Sequence, residues 1–163
     1  MKQQLPVEQQ KALDRVQGYI ELEMPKEALR ELKDLSEPLK QIPFAVELLV
    51  VVLIRLQRWK PAATQARKLC RLQPTSPVGF IHLAYCQHEC GQTAEAHATL
   101  LRGPSSLHKE ATYFYNLACY EAVLGDLEAA RLHLARCISI NKRFLEFARS
   151  DSDLAALHPE LPR

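Results

Sequence analysis

Three residues of the sequence have a spacing that could hold a metal ion. His82, Cys86 and Cys90 lie at positions i, i+4 and i+8, so they share one face if the segment is a helix. Imidazole and thiolate groups are ligands of zinc, but no second pair of cysteines with zinc-ligand spacing accompanies them. A free cysteine also packs as a small hydrophobic residue. The sequence favours packing, and we expect no metal and no other cofactor.

The sequence contains none of the common catalytic motifs. A glycine-rich phosphate loop, a nucleophile elbow and an HExxH zinc motif are all absent. Ser150, Asp151 and His158 include the residue types of a hydrolase, but they fall where a helix cap and a tail are predicted. Cys119 is the thiol expected to face a groove, and no neighbouring base would activate it. We therefore expect that the protein is not an enzyme.

The composition argues against several classes of partner. Hydrophobic residues make up 47 % of the chain, and the formal net charge is +2, so no general attraction to nucleic acid or to anionic lipid is expected. The longest apolar run, at 48–54, is far shorter than the roughly 20 residues that span a bilayer. Five cysteines and an amino terminus without an apolar signal region predict reduced thiols and a cytoplasmic location.

Four consecutive segments align with one another without a gap at a period of 34 residues. An alanine falls in the same register of each segment, at Ala28, Ala62, Ala96 and Ala130. Apolar residues recur at steps of three and four, which is the spacing of one helix face, and no segment alternates as a strand would. A fixed period of this size is typical of a solenoid, in which each unit buries its apolar face against a neighbour. The sequence predicts an all-α fold that presents a surface.

Turn residues divide each unit into two helices. Gly125 and Asp126 interrupt the last unit, and Asp126 is placed to cap the helix that follows. Gly91 marks the same turn one unit earlier. In the first two units Glu23 and Gln57 stand at this position, without a glycine.

The repeat resembles the tetratricopeptide repeat family, whose unit is a helix–turn–helix of 34 residues. The fourth unit matches the family pattern best, in Phe114, Leu117, Ala118, Leu124, Gly125, Asp126, Leu127, Ala130 and Leu134. The resemblance implies a right-handed superhelix of about four units, at 9–42, 43–76, 77–110 and 111–144. It leaves a lead at 1–8 and a helical tail at 145–163, which is expected to cap the last unit.

The sequence departs from the family pattern near two unit ends. Gly103 and Pro104 predict that the second helix of the third unit ends early. Lys142 stands where the family usually has proline, so the second helix of the fourth unit is expected to continue. In the tail, the polar cluster at 150–153 predicts a cap before a short helix that Pro159 ends.

The resemblance also implies where a partner binds, because the first helix of each unit lines a concave groove in the family. Carried onto this chain, the groove is mainly aliphatic and aromatic. The predicted binding residues are Leu48, Val51, Ile54, Ile81, Tyr85, His88, Tyr115, Asn116 and Cys119. Some family members clamp a terminal carboxylate, but Asn116 is the only polar ligand of that clamp found here, so such a clamp is not expected.

Two further segments admit alternative interpretations. The stretch at 47–56 is apolar on all sides, and a helix of that kind needs burial all round. Either neighbouring units cover it, or Leu48, Val51 and Ile54 are exposed and it forms an open groove for a peptide or a second copy. The basic residues at 55–71 are interpreted as a solvated helix face, with an acidic partner as the alternative.

We predict a non-enzymatic adaptor or scaffold that binds a protein or peptide partner in an apolar groove. One alternative is a self-assembly module that forms a homodimer through the second unit. Another is a small chaperone of a secretion system, which the chain resembles in size and groove character.

Overall fold

A computed structural model describes residues 5–161, without the side chain of residue 160, so the outermost parts of the predicted lead and tail lie outside the described residues. Within that range all regular secondary structure is helical, which confirms the all-α prediction. The α-helices are α1 (Val7–Glu21), α2 (Pro25–Asp34), α3 (Glu37–Lys40), α4 (Pro43–Arg55), α5 (Trp59–Leu72), α6 (Pro77–Glu89), α7 (Thr93–Leu101), α8 (Ala111–Leu124), α9 (Leu127–Ile140) and α10 (Phe144–Ser150). Two 3₁₀ helices occupy Ser105–Lys109 and Ser152–Glu160.

The helices pack in consecutive pairs, as a solenoid requires. Helices α1 and α2, α4 and α5, α6 and α7, and α8 and α9 pack against each other, and each pair also packs against the next. The four alanines that share one register, Ala28, Ala62, Ala96 and Ala130, are fully buried. Each is the fourth residue of the second helix of its pair, where a small side chain allows the two helices to approach closely.

The turns between paired helices share one backbone conformation. Glu23, Gln57, Gly91 and Gly125, spaced 34 residues apart, have φ angles of 56°, 55°, 77° and 94°. All four are therefore in the left-handed region. Glycine adopts it freely, whereas a residue with a Cβ pays roughly 1–2 kcal/mol. Glu23 and Gln57 thus replace the glycine of the later turns at an energetic cost.

Local sequence features account for several helix ends. Pro43 and Pro77 are the first residues of α4 and α6, where the missing amide hydrogen costs no hydrogen bond. Asp126 Oδ1 accepts a hydrogen bond from the Ala129 amide at 3.0 Å, so the predicted cap of α9 is confirmed. Helix α7 is only nine residues long and ends just before Gly103, as predicted.

Helix α9 does not continue past Lys142, so that prediction was wrong. It ends at Ile140, because Asn141 leaves the helical region with φ −145° and ψ 105°. The Asn141 side chain then accepts a hydrogen bond from the Arg143 amide at 3.1 Å, which supports the turn into α10.

The tail packs against α8 and α9, and its local structure differs from the prediction. Ala148, Leu154 and Leu157 are buried in the core that α6 to α9 share. The second segment of the tail is a 3₁₀ helix rather than an α-helix, and Pro159 lies inside it instead of ending it. These contacts make the tail part of the carboxyl-terminal core.

The apolar helix α4 is covered by its neighbours. It packs against α1, α2, α5 and α6. Leu48 is only 6 % exposed and belongs to the core of the first two helix pairs, while Val51 and Ile54 are half-buried. The interpretation that left Leu48 exposed is therefore wrong, and burial by neighbouring units accounts for the apolar character of this helix.

Candidate functional site

Five of the nine predicted groove residues line one cavity. Tyr85 and His88 lie on α6, and Tyr115, Asn116 and Cys119 lie on α8. The cavity has a volume of about 490 Å³, and its lining is mostly polar. Glu89, Gly91, Tyr120 and the tail residues at 151–153 complete the wall. The prediction of a mainly aliphatic and aromatic groove does not describe this half of the protein.

The tail enters the cavity through Asp151. The Tyr115 hydroxyl donates a hydrogen bond to Asp151 Oδ2 at 2.7 Å, and the Cys119 thiol donates to the same oxygen at 3.7 Å. The other carboxylate oxygen accepts from the Asp153 amide at 3.0 Å and caps the 3₁₀ helix. We call this set of contacts the Asp151 latch, because one carboxylate joins the tail to α8.

His88 makes a second link between α6 and the tail. Its Nε2 lies 2.8 Å from Asp153 Oδ2, and its Nδ1 lies 2.9 Å from the Thr93 hydroxyl. Because a carboxylate can only accept, Nε2 carries a proton and donates to Asp153. The imidazole ring also packs against Tyr120, with ring centroids 4.9 Å apart. His88 is thus fixed on both nitrogens and on one face.

Two polar groups in the wall have no partner among the described residues. The Tyr120 hydroxyl is buried and makes no hydrogen bond, although the residue is only 1 % exposed. The Asn116 side chain is 9 % exposed and likewise bonds to none of residues 5–161. Buried polar groups are nearly always hydrogen-bonded, and leaving one unsatisfied costs about 1–3 kcal/mol. Both residues lie on α8, four positions apart, and both line the cavity.

The ionisable groups of the cavity are set for binding rather than for nucleophilic chemistry. Burial, followed by the Asp151 and Asp153 carboxylates, raises the pKa of the Cys119 thiol. Burial, followed by Glu89, raises the pKa of Tyr85 to about 12. A nucleophilic cysteine needs the opposite shift, because the thiolate is the reactive form. Cys119 therefore lines the cavity as predicted but is a protonated, buried thiol.

The metal-ligand pattern seen in the sequence does not correspond to a cluster in the structure. Among the described residues, the one group of three with ligand atoms close together is Cys119, Asp151 and Asp153, within 4.8 Å of one another. Cys86 is fully buried, and burial raises its pKa to about 12. His82 and Cys90 do not join it in such a group within residues 5–161.

The remaining predicted groove residues lie outside the cavity. Leu48 is in the amino-terminal core, Ile54 packs against the small clusters between α4, α5 and α6, and Ile81 packs against the carboxyl-terminal core. Val51 is half-buried on α4. The structure thus separates the nine residues into five that share one cavity and four that chiefly pack the solenoid.

The tail forms part of the site, which was not predicted from the sequence. The polar cluster at 150–153 was predicted to be a helix cap, and Asp151 does cap the following segment. Its second role, as acceptor for Tyr115 and Cys119, depends on the path of the tail across the groove. Four consecutive polar residues are more than one helix cap needs, and this surplus is the signal that could have indicated a second role for the tail.

The basic stretch is a solvent-facing surface for the most part. Arg58, Lys60, Arg67 and Arg71 are exposed, and Lys68 is half-buried. Arg55 lies at the end of α4, with its guanidinium 3.6 Å from the Glu23 carboxylate. Within residues 5–161, no helix combines the length and the hydropathy that crossing a bilayer would require.

Comparison with known proteins identifies the fold but no family. No model of a known protein family matches the sequence, and no curated protein matches it. Among solved structures, the chain is similar to MamA from Desulfovibrio magneticus RS-1, residues 41 to the end, with a TM-score of 0.75 and 16 % identity. That alignment covers 96 % of this chain and 92 % of the MamA chain.

A second similar structure is the ArsTM double mutant of MamA RS-1. Its TM-score is 0.74 and its identity 17 %, with 96 % of this chain and 93 % of that chain covered. At this level of identity the similarity shows the fold alone. It supports a tetratricopeptide-type helical solenoid along nearly the whole length of the chain.

Proposed function

We propose that this protein is a non-enzymatic interaction module that binds a segment of a partner protein in the cavity between α6, α8 and the tail. The four units at 9–42, 43–76, 77–110 and 111–144 form the platform, and the tail completes the binding surface. The observation that carries the proposal is that two polar groups in one cavity wall have no partner within residues 5–161, namely the amide of Asn116, which is 9 % exposed, and the buried hydroxyl of Tyr120. A bound segment that reaches Asn116 would satisfy its amide.

The platform itself supports an interaction role. A helical solenoid presents a long concave surface, and such proteins use it to hold extended partners. The cavity of about 490 Å³ is large enough for one side chain and the main chain that flanks it, since small-ligand pockets have volumes of roughly 300–1,000 Å³. We also propose that the protein acts in the cytoplasm and has no membrane partner.

The homodimer alternative has less support. It relied on an exposed apolar surface on the second unit, and Leu48, Val50 and Val52 of that unit are buried within the chain itself. Light scattering on the purified protein tests it directly. A monomer mass that is independent of concentration would exclude self-assembly through this unit.

Affinity capture with matched variants tests the proposed function. The bait is the full chain, compared with Asn116→Ala in the cavity and with Gln10→Ala on the exposed surface of α1. We expect at least one protein that the wild type and Gln10→Ala retain equally and that Asn116→Ala loses. Circular dichroism checks that both variants fold. Capture that is identical for all three baits would refute binding in this cavity.

A further variant tests how far the binding surface extends. Val51 on α4 lies in the predicted groove but not in the cavity. If Val51→Glu folds and retains the captured partner, the contact is limited to the carboxyl-terminal half. Loss of the partner would mean that the groove of the second unit takes part as well.

A further inference from the structure

The charge of the cavity restricts the chemistry of its ligand. Its wall contains three carboxylates, Glu89, Asp151 and Asp153, and no lysine or arginine. His88 is the one lining group able to carry a positive charge, and it is already bonded to Asp153. A wall of this composition favours a cation over an anion, most strongly where water is excluded.

The aromatic residues of the wall suit an organic cation. Tyr85, Tyr115 and Tyr120 all line the cavity, and Trp59 holds the Tyr85 ring edge-on, with centroids 5.8 Å apart and planes at 88°. Aromatic faces attract ammonium and guanidinium groups, by about 0.5–2 kcal/mol depending on desolvation. Burial and the neighbouring Glu89 carboxylate raise the pKa of Tyr85 to about 12, so this residue stays a neutral phenol.

Three groups of the cavity wall can accept hydrogen bonds, and two of them, the Asn116 amide and the Tyr120 hydroxyl, can also donate. Glu89 is exposed at the cavity edge beside the Tyr85 hydroxyl, the Asn116 side chain has no partner among the described residues, and the Tyr120 hydroxyl is buried without one. Together they offer a carboxylate, an amide oxygen and a phenolic oxygen. Lysine and arginine side chains carry only donors, three and five respectively, so they complement such a set.

A metal ion fits this cavity less well. The candidate ligands are Cys119, Asp151 and Asp153, but the Cys119 thiol is protonated and Asp151 already accepts hydrogen bonds from Tyr115 and Cys119. A metal would have to displace these bonds and the one between Asp153 and His88. An organic cation at Glu89 and Asn116 would leave all of these bonds in place.

We propose that the cavity between α6, α8 and the tail binds the positively charged side chain of an arginine or a lysine of the partner protein. This inference rests on the proposed function, because it takes the ligand to be part of a protein. Glu89 would pair with the cation, the rings of Tyr85 and Tyr115 would flank it, and the Asn116 side-chain oxygen would accept a further hydrogen bond.

Nuclear magnetic resonance titration of the full-length, ¹⁵N-labelled chain tests this proposal. The probe is the blocked pentapeptide acetyl-Ala-Ala-Arg-Ala-Ala-amide, with lysine, citrulline and glutamate at the central position as comparisons. Citrulline has nearly the shape of arginine but no charge. We expect the arginine or lysine peptide to cause saturable shifts at residues 85–89, 115–120 and 151–153, with at least tenfold weaker binding of the citrulline and glutamate peptides.

Two carboxylate variants serve as a matched pair. Glu89→Gln should weaken binding of the cationic peptide about three- to tenfold, whereas Glu128→Gln, on the exposed start of α9, should leave it unchanged. Equal binding of the citrulline peptide, or equal effects of the two variants, would overturn the proposal. So would the absence of saturable shifts with every peptide.

A titration with Zn²⁺ alone separates the metal alternative from the organic cation. Zinc that binds with shifts centred on Cys119, together with no response to the cationic peptides, would also overturn the proposal. If the peptides fail while Asn116→Ala still loses a captured partner, the interaction function stands and only the assigned ligand chemistry is wrong.

Discussion

The Asp151 latch makes a specific energetic prediction. Asp151→Ala removes three hydrogen bonds at once: from the Tyr115 hydroxyl at 2.7 Å, from the Asp153 amide at 3.0 Å and from the Cys119 thiol at 3.7 Å. Asp126→Ala is the matched control, because Asp126 caps α9 through one amide at 3.0 Å within its own helix pair. The difference between the two variants isolates the attachment of the tail to α8.

The expected loss follows from the kind of bonds removed. A cap of this type contributes about 1 kcal/mol, and a hydrogen bond to a charged group contributes about 1.5–3 kcal/mol. Asp151→Ala should therefore cost about 3 kcal/mol, and Asp126→Ala about 1 kcal/mol. At roughly 2–4 °C per kcal/mol for a chain of this size, Tm should fall by about 6–12 °C and 2–4 °C respectively.

Urea unfolding and hydrogen exchange measure the two parts of this effect. Unfolding gives the total free energy, and exchange at residues 144–160 reports release of the tail. Tyr115→Phe alone should lower the free energy of unfolding by about 1–2 kcal/mol, because it removes one of the bonds to Asp151. The double variant with Asp151→Ala should show a coupling energy of at least about 1 kcal/mol. Equal losses for Asp151→Ala and Asp126→Ala, or no coupling with Tyr115→Phe, would refute the latch.

Three further predictions concern the solenoid. Gly79→Ala should destabilise by about 1–3 kcal/mol in urea unfolding, because its Cβ would lie 2.9 Å from the backbone of α5, whereas Gly18→Ala, with open space around it, should stabilise by about 0.5–1 kcal/mol. Gly125→Ala should lower the free energy of unfolding by about 1–2 kcal/mol because φ is 94° at this position, while Gln57→Gly should be neutral or stabilising. A destabilisation by Gln57→Gly comparable with that of Gly125→Ala would contradict the strain at residue 57. Burial lowers the pKa of His82 from its ordinary value of 6.5, so the unfolded chain binds the proton more readily and stability should fall as the pH drops below 6.5. In a pH series of urea midpoints, His82→Leu should flatten this fall. An unchanged slope would contradict the role of His82.

The repeat was predictable because its signals are local and recur. The alanines in one register, the left-handed turns and the Asp126 cap each depend on a few neighbouring residues. Because these signals recur at a fixed period, together they predict the fold more strongly than any one of them does alone. The resemblance to the tetratricopeptide repeat implied that Tyr85, His88, Tyr115, Asn116 and Cys119 lie on groove-lining helices, and these five residues line one cavity.

The parts that were missed depend on contacts between distant segments. The apolar surface of α4 indicated burial, but whether neighbours or a partner covered Leu48 depended on how the helix pairs stack. The role of Asp151 requires the tail to cross the groove, 32 and 36 residues from its partners Cys119 and Tyr115. The periodicity of one segment carries no information about the path of the tail across the groove.

The double attachment of His88 turns one side chain into a reporter of the tail. Its Nε2 proton lies in a hydrogen bond to Asp153, and its Nδ1 is bonded to Thr93, so exchange of the ring proton with water is slowed while the tail is docked. A single imidazole resonance, resolved far from the amide region, would then record how often the carboxyl-terminal segment leaves the groove. The rate at which the binding surface opens could be measured without attaching any label to the protein.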